Sequence, residues 1–215
     1  IEAVQESGTP YAVILAGGGA VDVRPFDTDA GAILMTWLGG QSIGSAVAEV
    51  IFGLRSPSGR LSETFARSVE DHASAVNFPG GPLTVSYGEG LAVGYRYFQT
   101  FDQEVMYPFG HGLSYTSFDW RNFEAPATVD SLDTGFDVRV TVENTGDRSG
   151  AEVVQVYLRQ LDSYFPRPDR ELIGFSKVVA GPGETREVAI HIDPERFAYW
   201  HEGHGQWTIE PGGYE

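Results

Sequence analysis

The rhythm of apolar and polar residues changes about half-way along the chain. From Phe118 onward it has a period of two. Phe136, Val138, Val140 and Val142 face one way, while Asp137, Arg139, Thr141 and Glu143 face the other, which predicts a strand with one buried side. Val154, Val156 and Leu158 repeat the pattern, Leu172–Val179 forms a third predicted strand, and Val188, Ile190 and Ile192 continue it. Trp207–Glu210 begins a further strand, and Tyr214-Glu215 reads as the start of a last, truncated one. Asn144-Thr-Gly-Asp147 and Gly181-Pro-Gly-Glu184 supply the turns.

The first half has no such alternation. Ile1–Glu6 reads as the end of a helix stopped by Ser7-Gly8-Thr9-Pro10. Tyr11–Ala16 is an unbroken apolar run, the pattern of a central parallel strand covered on both faces. Asp27-Thr28 is expected to cap a helix to about Leu38, with Ala30, Ile33, Leu34 and Trp37 on one stripe. Ser42 is expected to cap a second helix to about Phe52. Leu61–Phe65 and Val93–Phe98 read as extended, with residues 66–90 a loop around Pro79-Gly80-Gly81-Pro82. No companion as strong as Tyr11–Ala16 stands between residues 17 and 75. Its sheet neighbours are therefore expected before Ile1, and the chain is expected to be part of a longer polypeptide.

Between the two regimes lies Tyr107-Pro-Phe-Gly-His-Gly-Leu-Ser-Tyr-Thr-Ser-Phe118. Its Pro and Gly forbid a regular helix, and its aromatics are too apolar for a solvated linker, so it reads as a tethered junction. The fold class that follows is α/β plus all-β. Residues 1–98 are the C-terminal part of a parallel-sheet α/β sandwich domain, 99–117 an aromatic Gly/Pro junction, and 118–215 an immunoglobulin-like or fibronectin type III-like β-sandwich with its last strand cut short.

Composition narrows the partners. With 215 residues and 41% hydrophobic content the chain can build a core. It has no cysteine, which removes disulfides and thiolate metal sites. No apolar run reaches membrane-spanning length. Thirty acidic residues against fourteen basic ones give a net charge of −16, which disfavours nucleic acid and anionic membranes.

Several motifs suggest chemistry, each with a plainer explanation. Gly40-Gln-Ser42-Ile-Gly44 fits the G-x-S-x-G pattern of a serine nucleophile, but that pattern requires a strand before it, where a helix is expected here; Ser42 is better read as a helix cap. Gly17-Gly18-Gly19 lacks the third glycine of a dinucleotide loop and reads as a tight turn. His201-Glu-Gly-His204 has no helical metal-ligand spacing and reads as a solvated turn. Glu89 and Arg96 suggest an ion pair, or second a substrate contact. Tyr164, Phe165, Tyr199 and Trp200 are candidate platforms should the sandwich act alone as a carbohydrate- or protein-binding module.

Longer motifs carry a family resemblance across essentially the whole chain. Trp37-Leu-Gly-Gly-Gln-Ser-Ile-Gly44, Ser56-Pro-Ser-Gly-Arg-Leu-Ser-Glu-Thr-Phe65, Tyr87-Gly-Glu-Gly-Leu-Ala-Val-Gly-Tyr-Arg-Tyr97 and Tyr107-Pro-Phe-Gly-His-Gly-Leu-Ser-Tyr-Thr116 resemble the C-terminal part of glycoside hydrolase family 3, the β-glucosidase-like enzymes. Arg170–Phe175 and Pro182–Thr185 are similar to that family's fibronectin type III-like module. Ser56 and Ser62 stand where Asn and Pro are usual in the family. The resemblance implies retaining hydrolysis of β-glycosides, with the aspartate nucleophile and glutamate acid/base upstream of Ile1, so no residue here is expected to be catalytic and the chain alone is expected to be inactive. It implies neither metal nor organic cofactor. It also implies a carbohydrate substrate bound through an absent barrel domain and packing against the rest of the same enzyme, with a homo-oligomer as a further partner expectation; the compartment is not read from the sequence. Ligands of open α/β sheets sit beyond the carboxyl ends of the strands, so the loop from Gly17 to Phe26 is expected to approach a substrate cleft, with Asp22 and Arg24 as its polar candidates.

Overall fold

The computed structural model describes residues 1–129 and 134–215; the expected sandwich domain includes 130–133, which lie outside the described residues. The chain divides into two compact units, one of residues 1–55 and 61–111, the other of residues 56–60 and 112–215.

The first unit opens with a short helix, α1 (Glu2–Glu6), and strand β1 (Ala12–Leu15), as the pattern predicts. The expected helix over residues 28–38 is not there. Ala32–Met35 instead forms β2, parallel to β1 in the register Ala12↔Ala32 to Leu15↔Met35. This overturns the expectation that β1 has no companion within the chain. A short apolar run fits a helical stripe and a buried strand equally well, and here pairing with β1 decides. Asp27 caps nothing; it accepts a hydrogen bond from the Tyr107 hydroxyl. Among the described residues neither β1 nor β2 has a second strand partner.

The connection between β1 and β2 buries Val23 and Phe26 beside Phe65, against Val13, Leu15, Ile33 and Met35 on one face of the parallel pair. The opposite face is thinly covered, with Ile14 45% exposed. Helix α2 (Ile43–Ile51) follows as predicted, but none of its residues is buried, and Phe52 and Leu54 beyond it are exposed. The extended stretch expected at Val93–Phe98 is instead helix α3 (Tyr95–Thr100). Its aromatics imitate a strand in composition. Gly94, at φ 60°, turns the chain into the helix, and Phe98 packs edge-on to His72. β3 (Phe65–Ala66) and β4 (Val105–Tyr107) pair antiparallel across the base of the unit.

The second unit follows the alternating pattern closely. β5 (Phe118–Glu124), β6 (Phe136–Asn144) and β9 (Thr185–Ile192) form a three-stranded antiparallel sheet, while β7 (Gly150–Leu158) pairs with β8 (Glu171–Ala180). Val138, Val140, Val142, Val154, Leu158, Ile173, Val188, Ile190 and Ile192 make one core between them. A hairpin of β10 (Ala198–His201) and β11 (Gln206–Ile209) completes it; β10 is an element that the pattern does not reveal. The fold is thus an α/β unit plus a β-sandwich.

Candidate functional site

The carboxyl ends of the two parallel strands define the site. Beyond β1 runs Gly17-Gly18-Gly19 and the loop to Phe26; beyond β2 runs Thr36-Trp37-Leu38-Gly39. Trp37 has φ 52°, a left-handed conformation costly for a bulky side chain. Its ring meets Phe65 edge-on, and Leu38 next to it is 80% exposed. The two loops meet: a Cβ on Gly18 would lie 3.8 Å from Leu38 Cδ1. Glu63 joins the same rim, its Oε1 3.7 Å from where a Cβ on Gly19 would stand. Leu38 and Glu63 thus stand beside the candidate loop, and sequence reasoning did not single them out, although both lie inside the motifs that carry the resemblance.

Asp22 and Arg24 are brought together, but with each other. Arg24 Nε donates to Asp22 Oδ1 (2.9 Å), Nη2 to Oδ2 (2.6 Å), and the Arg24 backbone N–H to Oδ1 (3.1 Å). These hydrogen bonds hold the Asp22 carboxyl below the usual carboxylate range and raise the guanidinium further. Glu70 and Asp71 add their negative field at Arg24. With both oxygens occupied, Asp22 is a clamp on Arg24 rather than a free nucleophile or base.

Ser42 closes a 3-10 turn (Gly40–Ser42) and stands at the N-cap of α2, with φ −93° and ψ 4°. A strand does precede it, contrary to expectation, but ends seven residues earlier. The Ser42 backbone is not the strained elbow such a nucleophile needs, and among the described residues no histidine is hydrogen-bonded to it. Glu89 lies in a turn and Arg96 on α3. His201 and His204 stack face to face at 3.9 Å across the β10–β11 turn. Among the described residues no group of three or more His, Asp or Glu could hold a metal ion. Phe165 and Tyr199 are half-buried and tilted at 42°, while Tyr164 and Trp200 are exposed; the four do not form one flat platform.

The motif residues have definite structural roles. In the first unit, Leu61 N–H donates to His111 O and Gly110 N–H to Leu61 O, both at 2.8 Å, so the S-G-R-L and F-G-H-G turns are paired. In the second unit, Ser56 and Ser114 hydroxyls bond at 2.9 Å, and Thr116 donates to Asn144 Oδ1 (2.6 Å). Asn144 is fully buried, and its side-chain nitrogen donates to Arg148 O and Ala180 O.

These observations define the class: a parallel α/β unit followed by a fibronectin type III-like β-sandwich. The model of the glycosyl hydrolase family 3 C-terminal domain matches residues 1–115, and that of the fibronectin type III-like domain matches residues 152–215. The chain belongs to glycosyl hydrolase family 3. It is 41% identical over 212 residues to the thermostable beta-glucosidase B of Acetivibrio thermocellus, covering 99% of this chain and 28% of that protein. An exo-alpha-(1->6)-L-arabinopyranosidase of Bifidobacterium longum is also 41% identical, again over 28% of its length. A GH3 beta-glucosidase of Bifidobacterium adolescentis superposes with a TM-score of 0.89 at 43% identity, covering 94% of this chain and 30% of that one. The chain thus spans little more than a quarter of the length of these relatives.

Proposed function

We propose that the chain is the C-terminal portion of a retaining glycoside hydrolase acting on β-glycosides. The observation that carries this reading is the alignment of nearly the whole chain with one 28% portion of a beta-glucosidase. In such hydrolysis one carboxylate attacks the anomeric carbon and a second carboxyl protonates the leaving oxygen. Water then releases the covalent glycosyl-enzyme, with the second group acting as base. We assign neither role to a residue of this chain. Asp22, the leading polar candidate, is held by Arg24 through both oxygens.

In this reading the chain contributes a rim rather than chemistry: the loops of Gly17–Phe26 and Thr36–Gly39, with Leu38, Glu63 and the Asp22–Arg24 pair, border a carbohydrate cleft completed by the remainder of the enzyme. The exposed apolar residues of the first unit, among them Ile14, Ile51, Phe52 and Leu54, support packing against that remainder. The glycoside is selected outside this chain. A beta-glucosidase and an arabinopyranosidase resemble it at the same 41% identity, so overall likeness favours neither substrate.

The test is a chimera in which this chain replaces the matching portion of the thermostable beta-glucosidase B. The chimera is expected to hydrolyse an aryl β-glucoside with retention, and the 215-residue chain alone to show no turnover. Turnover by the pure chain, or a folded chimera with no activity, would refute the reading.

A further inference from the structure

Five residues, Ser56–Arg60, belong to the second unit although the chain on both sides of them belongs to the first. They are held tightly there. Ser56 Oγ bonds Ser114 Oγ and accepts from Tyr115 N–H (3.0 Å), and Lys177 Nζ donates to Ser58 Oγ (2.8 Å). Arg60 Nη2 donates to Glu152 Oε1 at 2.5 Å, and the same oxygen accepts from Val153 N–H at 2.7 Å. The two charged side chains are only 11% and 13% exposed. A Cβ on Gly112 would stand 2.5 Å from Gly59 O and 3.0 Å from Arg60 Cδ, so only glycine lets residue 112 lie against the Gly59-Arg60 backbone. Arg60 and Gly112 are the residues immediately before and after the first unit's segment Leu61–His111.

We propose that the Arg60–Glu152 pair and the Gly59/Gly112 approach form a non-covalent staple that closes the base of the Leu61–His111 segment. Pinning both ends of a long segment holds its loop closed in the folded state, so the contacts inside the segment need not offset that closure entropy alone; unlike a disulfide, the pair does not constrain the unfolded chain. What the staple closes bears on the rim. Leu61–His111 contains Phe65, a core residue of the first unit, and Tyr107, whose hydroxyl donates to Asp27 in the loop that bears Asp22 and Arg24. The fibronectin type III-like unit therefore does structural work for the α/β unit, whichever glycoside the enzyme takes.

Site-resolved amide exchange on the full 215-residue chain tests this. Glu152→Gln keeps an acceptor for Val153 N–H but removes the charge. It is expected to speed exchange at Phe65–Ala66 and Val105–His111 by about tenfold while leaving β6 and β9 unchanged. Gly112→Ala should give the same pattern while keeping both charges, because its Cβ would displace Gly59 O and the Arg60 side chain, including Nη1 at 3.0 Å. The swap Arg60→Glu with Glu152→Arg should restore most of the protection. Faster exchange confined to residues 56–60 and 150–154, no change at all, or a swap no better than the single variant would overturn the proposal. So would loss of protection throughout β6 and β9, because the pair would then be a support of the sandwich and not a staple.

Discussion

The two units bury their apolar residues in different ways. Among the described residues, the sandwich gathers ten buried side chains in one core closed between its own strands, whereas the largest buried cluster of the α/β unit has three, on one face of a two-stranded parallel sheet, with Phe98 buried apart from it. Antiparallel strands alternate and can leave one face to water. Parallel strands are apolar on both faces and require cover on both. The sandwich supplies its own cover, while β1, β2 and the apolar helix α2 keep surface such as Ile14, Ile51 and Phe52 exposed. The difference teaches which unit covers its own apolar surface and which leaves much of it open.

Substitutions can break or sharpen that contrast. The largest effect is expected at Asn144, where the side chain bonds Thr116, Gly146, Arg148 and Ala180 in a fully buried position. Asn144→Ala should cost the sandwich about 3–5 kcal/mol in urea unfolding, since several buried polar groups lose their partners together. Ile192→Ala, with its side chain fully enclosed, should cost about 3 kcal/mol, and Val23→Ala in the other unit about 2 kcal/mol. A larger loss at Val23 than at Ile192 would count against the contrast.

Tyr107→Phe is expected to cost about 1 kcal/mol near neutral pH, through loss of the bond to Asp27. That bond, with a smaller part from burial, pushes the Tyr107 phenol up to about 12. The neutral phenol is thus the form the fold favours. Its contribution is complete below the unfolded value near 10 and is lost as pH rises through about 12, so wild type and variant should converge over that window. The smallest effect belongs to Asp22→Asn, which breaks an exposed ion pair and should leave the urea midpoint nearly unchanged. In the active chimera it should leave the pH profile unaltered, whereas a shifted acidic limb would return Asp22 to the chemistry.

How much of this was legible in the sequence follows the same division. Val138, Val140 and Val142 announce a strand because each residue reports its own side of a sheet, and Val188, Ile190 and Ile192 do likewise. Ala32–Met35 fits a helical stripe as well as a strand because a fully apolar segment carries no phase; only its pairing with β1 settles it. Val93–Phe98 suggested a strand through aromatic composition, yet the left-handed Gly94 starts a helix. At the candidate site, the parallel-sheet rule needs only the position of β1 to point to the Gly17–Phe26 loop. The mutual capture of Asp22 and Arg24, the approach of Leu38 and Glu63, and the bond between Ser56 and Ser114 across 58 positions depend on tertiary folding, which local pattern does not encode.

The most direct test is urea unfolding of the intact chain with Trp37 as its sole tryptophan, the exposed Trp120, Trp200 and Trp207 being replaced by Phe. Trp37 fluorescence reports the α/β unit, and far-UV circular dichroism is dominated by the sandwich strands. The fluorescence midpoint is predicted to fall at clearly lower urea than the dichroism midpoint, because the parallel pair lacks cover that the sandwich has. Superimposable curves would contradict this, showing that the α/β unit is as complete as its neighbour.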